Sequence, residues 1–89
     1  MTREELQKAS DELRQASERV DGEVQERLYD QSNQLAKLAS AERGPDHGRL
    51  DRHMNVLHEL AGELDGEAKD RVQAAREHVK EYRKTVEGV

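Results

Sequence analysis

The chain has 89 residues, the length of one domain, with 39% charged residues, 33% hydrophobic residues and a formal net charge of −5. It has no cysteine, which excludes disulfides and thiolate metal sites, and its two aromatic residues are tyrosines, which disfavours a β-sheet or a large aromatic-lined pocket. The acidic balance disfavours nucleic-acid binding, and the sequence has neither a membrane-spanning apolar run nor a signal peptide. We therefore expect a cytoplasmic protein that is not bound to a membrane.

The first half of the chain has the pattern of helical structure. Thr2 and Glu5 form a T-x-x-E capping box, which predicts a helix start. Apolar residues then recur at alternating spacings of three and four, which places them in one stripe along a helix. The stripe comprises Leu6, Ala9, Leu13, Ala16 and Val20, then Val24, Leu28, Gln31, Leu35 and Leu38.

A loop at residues 44–46 separates the halves. Gly44 suits the position just after a helix, Pro45 cannot continue one, and Asp46 offers the N-cap of the next. Gly88 is the corresponding closing glycine. The second stripe comprises Leu50, His53, Leu57, Leu60 and Leu64, then Ala68, Val72, Ala75, Val79, Tyr82 and Val86.

The two halves, 1–44 and 45–89, resemble each other at a shift of 44 positions. The segment VDGEVQERL at 20–28 matches LDGEAKDRV at 64–72, including the Asp-Gly-Glu. Two amphipathic hairpins of equal length would share the stripe in any case. An internal duplication and a common helical pattern therefore both explain the similarity, within a single helical domain.

The Asp-Gly pairs allow two all-α architectures. If Gly22 and Gly66 are turns in the left-handed conformation, the chain forms an antiparallel bundle of four helices near 3–20, 23–42, 47–64 and 67–87. If both are helical, two long helices form an antiparallel hairpin that must dimerise into a four-helix bundle. The uninterrupted stripe favours the hairpin. We favour four helices, because a solvent-facing glycine inside a helix is destabilising by about 1 kcal/mol.

The polar cluster at residues 44–59 is the candidate ligand site. His47 and Asp51 are four residues apart and can share an ion weakly, and His53 lies nearby. The spacing of the histidines does not match a helix-borne metal site, so we predict no metal and no cofactor. His47 is explained more simply as a residue that holds the loop.

His53 and Gln31 are polar residues on the apolar stripes. A buried imidazole needs a hydrogen-bond partner, and polar residues in such positions can fix the register of packed helices. We expect this structural role for His53; a pH switch is the functional alternative.

The third predicted helix has a wider apolar face than the others. Met54 and Val56 lie beside its stripe and are candidates for contact with a second copy or another protein. Tyr82, among the basic residues near the C-terminus, is a third candidate, although cations there also complement the helix dipole.

The run GPDHGRLDRHMNVLHELAG and the ending EHVKEYRKTVEGV resemble a family of small uncharacterised helical proteins of halophilic archaea. The resemblance implies a salt-adapted cytoplasmic protein and transfers no catalytic or binding residue. Function is therefore unknown from the sequence. We expect a non-enzymatic interaction or scaffold protein that forms a homodimer. The alternative is a regulatory module that binds a small ligand or ion near residues 44–59.

Overall fold

A computed structural model describes residues 3–86. They form four α-helices, α1 (Glu4–Ser17), α2 (Gly22–Ser40), α3 (His47–Gly62) and α4 (Gly66–Arg83), as the four-helix interpretation predicts. The predicted capping residue Thr2 and the predicted closing glycine Gly88 lie outside the described residues.

The helices form a bundle measuring 37 × 20 × 17 Å. Helix α1 packs against both α2 and α4, and α3 packs against α4, whereas α2 and α3 barely touch. The core consists of the predicted stripes, with the large buried side chains Leu6, Leu13, Leu28, Leu35, Leu50, Leu57, Leu60, Val72 and Val79. No helix in the described range is long and apolar enough to cross a membrane.

Both Asp-Gly pairs are turns. Gly22 has φ of +73° and Gly66 has φ of +62°, the left-handed region that favours glycine. The alternative of two long helices is therefore wrong, and one chain supplies all four helices. The predicted links were too short, because α1 ends at Ser17 and α3 at Gly62. Each glycine is the first residue of the following helix, whereas the predicted helix ranges placed it in the link between two helices.

The 41–46 loop is held at both ends. Asp46 caps α3 as predicted, since its Oδ1 accepts a hydrogen bond from the amide of Arg49 at 2.8 Å. Gly44 does not have positive φ, because α2 already ends at Ser40. A Cβ at Gly44 would lie 3.0 Å from the hydroxyl of Tyr82, so this glycine permits a close approach between the loop and α4.

Arg3 closes the end of α2. Its guanidinium donates to the carbonyl oxygens of Leu38 at 3.0 Å and Glu42 at 3.1 Å, and also to that of Ala41. Carbonyls at a helix C-terminus lack partners within the helix. A side chain 35 or more residues away in the chain therefore satisfies them.

The unequal helix contacts follow from the sizes of equivalent side chains. Buried positions of α1 and α4 carry alanines, which allow the two helix backbones to approach closely. At a shift of 44 positions, α3 and α2 carry larger residues. The four equivalent pairs are Ala9 and His53, Ala16 and Leu60, Ala68 and Val24, and Ala75 and Gln31. The bundle is consequently tight between α1 and α4 and splayed between α2 and α3.

Candidate interaction surface

The predicted ligand candidates at the loop end are already engaged by the C-terminal part of the chain. His47 donates from Nε2 to the carbonyl oxygen of Val86 at 2.9 Å. Arg83 donates to both carboxylate oxygens of Asp51, at 2.7 and 3.3 Å. These bonds tie the start of α3 to the end of α4 and leave His47 and Asp51 with different partners.

His53 bridges α2 and α3 and not the loop. Its Nδ1 donates to Oε1 of Gln31 at 2.7 Å, so the two polar residues on the apolar stripes pair with each other. The imidazole is buried, and this burial, with the positive charges of Arg49 and Arg52, holds the pKa of His53 below its ordinary value of 6.5, although Asp30 opposes the shift. The neutral imidazole is therefore the favoured form in the folded protein.

The histidines and carboxylates do not converge on a metal site within residues 3–86. No three His, Asp or Glu side chains in this part of the chain are placed to hold an ion together. His78, near the edge of the α4 stripe, donates to Glu5 at 2.7 Å and joins α4 to α1. These polar contacts each connect two helices, which is a structural role.

None of the three predicted interface residues is fully exposed, and Tyr82 is more deeply buried than the other two. Met54 and Val56 are half-buried and pack against the core. Tyr82 is only 9% exposed and packs at the loop end. Within the described residues, little of the Tyr82 side chain is therefore accessible to a partner.

The exposed aromatic residue is Tyr29, a residue that the sequence analysis did not select. It is 49% exposed and is the one large hydrophobic side chain in the described range that is exposed. Arg14 lies over its ring, 5.7 Å from the centroid. Tyr29 has no place on the buried stripe of α2, and this departure was the signal available in the sequence.

Tyr29 lines an open groove of about 600 Å³ at the outer side of α1 and α2. Carboxylates and amides surround the ring. The lining residues are Ser17, Glu18, Gln25, Glu26, Tyr29, Asp30 and Asn33. Tyrosine is enriched at protein interfaces because it combines apolar area with a polar hydroxyl. An aromatic ring among carboxylates is suited to a cationic side chain of a protein partner.

The buried serines hold the two helices that form this groove. Ser10 Oγ donates to the carbonyl oxygen of Ser32 at 2.8 Å, and Ser32 Oγ donates to that of Ser10 at 2.9 Å. Gln25 additionally donates to the carbonyl of Ser17 at 2.7 Å. These three hydrogen bonds join the two helices whose residues line the groove.

Comparison with known proteins gives a family and no function. Searches of curated proteins and of solved structures found no significant match. The model of a family of unknown function, DUF7553, matches residues 1–85. Because this match spans nearly the whole chain, the protein belongs to that family of unknown function.

Proposed function

We propose that the protein is a small interaction or scaffold protein that acts by binding and not by catalysis, and that it self-associates. The observation that carries this proposal is Tyr29, an exposed aromatic residue in a groove lined by α2 and the end of α1. Aromatic residues at the centre of an interface supply much of its binding energy. The predicted ligand candidates His47, Asp51 and His53 support this choice over a ligand-binding module, since each is engaged by another part of the chain.

The composition supports a cytoplasmic protein adapted to concentrated salt. Twenty acidic residues stand against fifteen basic ones, and the resemblance to halophilic archaeal proteins agrees with this excess. We expect the free energy of unfolding to rise with KCl up to multimolar concentrations. Urea titrations at increasing KCl would test this, and a protein equally stable without added salt would contradict the adaptation.

Self-association is tested by sedimentation equilibrium over a wide range of protein concentrations. Measurements in multimolar KCl and at the lowest KCl that keeps the protein folded should show a species of twice the chain mass. Tyr29→Ala should weaken the association, since it removes the exposed ring without opening a cavity in the core. Gln73→Ala, at the position of α4 equivalent to Tyr29, is the matched control and should have no effect. A wild-type monomer under all conditions would refute the proposal.

A further inference from the structure

We infer that the outer face of α2 pairs with the same face of a second copy, antiparallel and centred on Asn33. This inference rests on the proposed self-association and names the surface that performs it. The outer face is defined by the α2 residues that point away from the core. They are Glu26, Tyr29, Asp30, Asn33, Ala36, Lys37 and Ser40.

The second half of this face carries small residues and can approach another helix closely. Tyr29, Asn33, Ala36 and Ser40 follow one another at spacings of four, three and four, so they form one stripe along α2. Ala36 and Ser40 are small. Tyr29 is large and exposed, and in an antiparallel pair it would lie over the smaller half of the second copy's stripe. The stripe is therefore complementary in shape to itself.

The charges on this face favour the antiparallel orientation. Glu26 and Asp30 lie in its first half and Lys37 in its second, and none of the three has an ion-pair partner among residues 3–86. In an antiparallel pair centred on Asn33, Asp30 of each copy is level with residue 36 of the other, so Lys37 of the other copy lies only one residue, about 1.5 Å, further along the helix. A parallel pair would place like charges opposite each other. Charges that flank a helix pair set its orientation in this way.

The charge of the whole bundle agrees with this orientation. The end that carries the Asp-Gly turns, residues 18–27 and 62–71, has eight acids and four bases. The opposite end, residues 3–8, 37–52 and 80–86, has nine bases and six acids. Two copies that lie side by side and antiparallel bring each acidic end next to a basic end. A two-fold axis closes such a dimer and leaves no open chain of contacts.

The equivalent face of α4 lacks the exposed aromatic residue and the pair formed by Asp30 and Lys37. At a shift of 44 positions, Tyr29 corresponds to Gln73, Asp30 to Ala74 and Lys37 to Glu81. The α4 face therefore has no aromatic residue and no acid–base pair at these positions, although Asp70 lies in its first half and Lys80 and Lys84 in its second. This comparison singles out α2, and it also provides control positions on the same protein.

Disulfide trapping tests the position of the two-fold axis, because the chain has no cysteine of its own. Asn33→Cys should give a covalent dimer on mild oxidation, since the two residues 33 meet at the axis. Glu77→Cys, the equivalent position of α4, should give much less. Both sites lie on the helix surface, so both variants should fold, which circular dichroism would verify. Equal trapping at the two sites would overturn the inference.

A charge exchange tests the orientation. Asp30→Lys alone and Lys37→Asp alone should each raise the dimer dissociation constant about tenfold at low salt, because each places like charges opposite one another at two symmetric contacts. The double variant, Asp30→Lys with Lys37→Asp, should restore the wild-type value, since every contact between copies is again complementary. If the wild type dimerises and the double variant is as weak as the single ones, the inference fails and the proposed self-association stands. If the wild type never dimerises, both fail.

Discussion

Replacing Gly22 by alanine tests the four-helix architecture. A left-handed turn and a continuous helix at this position predict opposite signs for the change in the free energy of unfolding. An L-residue in the left-handed conformation is disfavoured by about 1–2 kcal/mol. A Cβ at Gly22 meets no atom within 4 Å, so no steric clash adds to this penalty. Alanine also restricts the unfolded chain, which offsets the penalty by about 0.4–1 kcal/mol. We therefore expect Gly22→Ala to lower the free energy of unfolding by roughly 1 kcal/mol, and Gly66→Ala to do the same.

The measurement is a urea titration followed by circular dichroism at constant salt, together with a thermal scan. For a chain of 89 residues, 1 kcal/mol corresponds to a drop in Tm of about 5 °C. D-alanine at position 22, introduced by chemical synthesis, prefers positive φ and should instead stabilise the protein by about 0.4–1 kcal/mol. Gly62→Ala is the matched control. Gly62 ends α3 without positive φ and a Cβ there meets nothing within 4 Å, so alanine should stabilise by up to about 1 kcal/mol.

One combination of results would refute the left-handed turn at Gly22. If Gly22→Ala stabilises the protein as Gly62→Ala does, and D-alanine at position 22 destabilises it, residue 22 lies in an ordinary right-handed helix. The Asp-Gly would then not be a turn, and the long antiparallel hairpin would have to be restored.

Two further predictions concern side chains that join helices. The pKa of His53 in the folded protein lies below 6.5, so its contribution to stability is complete above about pH 6.5 and is lost as the pH falls below that value. His53→Asn should flatten the profile of unfolding free energy below about pH 6.5, and an unchanged slope would show that another group is responsible. Arg3→Ala should lower the free energy of unfolding by about 1 kcal/mol, because it removes the guanidinium that donates to the carbonyls at and just beyond the end of α2. Arg3→Lys should recover only part of this loss. In both variants, amide hydrogen exchange in the last turn of α2 should be faster than in the wild type. Protection equal to that of the wild type would contradict the capping role of Arg3.

The helices and the core were predictable because the spacing of apolar residues within one helix depends only on residues that are close together in the sequence. The stripe residues are buried or half-buried throughout the described range, and Asp46 caps α3 as the sequence predicts. The left-handed glycines were also predictable, since a glycine beside aspartate is unfavourable inside a helix. The helix ends were placed two to four residues too late; for α1 and α3 the reason is that the stripe continues through Val20 and Leu64 although the backbone has already left the helix.

The polar contacts between helices were not predictable in the same way. Ser10 and Ser32 are buried although nothing in their local sequence distinguishes them from surface serines. They satisfy each other's backbone carbonyls across α1 and α2, a pairing that depends on the register of two helices. Arg3 was likewise missed, because its partners lie more than thirty residues away.

The residues of the candidate interaction surface were likewise not predictable from the sequence alone. An excess of apolar residues on α3 indicated Met54 and Val56 as interface residues, and the structure places both half-buried against the core. Tyr29 was not predicted, because its exposure depends on how α1 and α2 pack. Sequence patterns show which residues leave a stripe, and only the packed structure shows which of them remain exposed.

The sequence by itself therefore determined the helical class and the apolar residues of the core, and it favoured the left-handed conformation of Gly22 and Gly66 without excluding two long helices, because hydrophobic periodicity and backbone preferences act over a few residues. Only the tertiary structure decided which helices touch and that Tyr29 faces outward. It also decided that α1 packs closely against α4, whereas α2 and α3 are separated by the larger side chains of Gln31 and His53, which hydrogen-bond to each other. The reason is that these features depend on the relative sizes and positions of side chains brought together from distant parts of the chain.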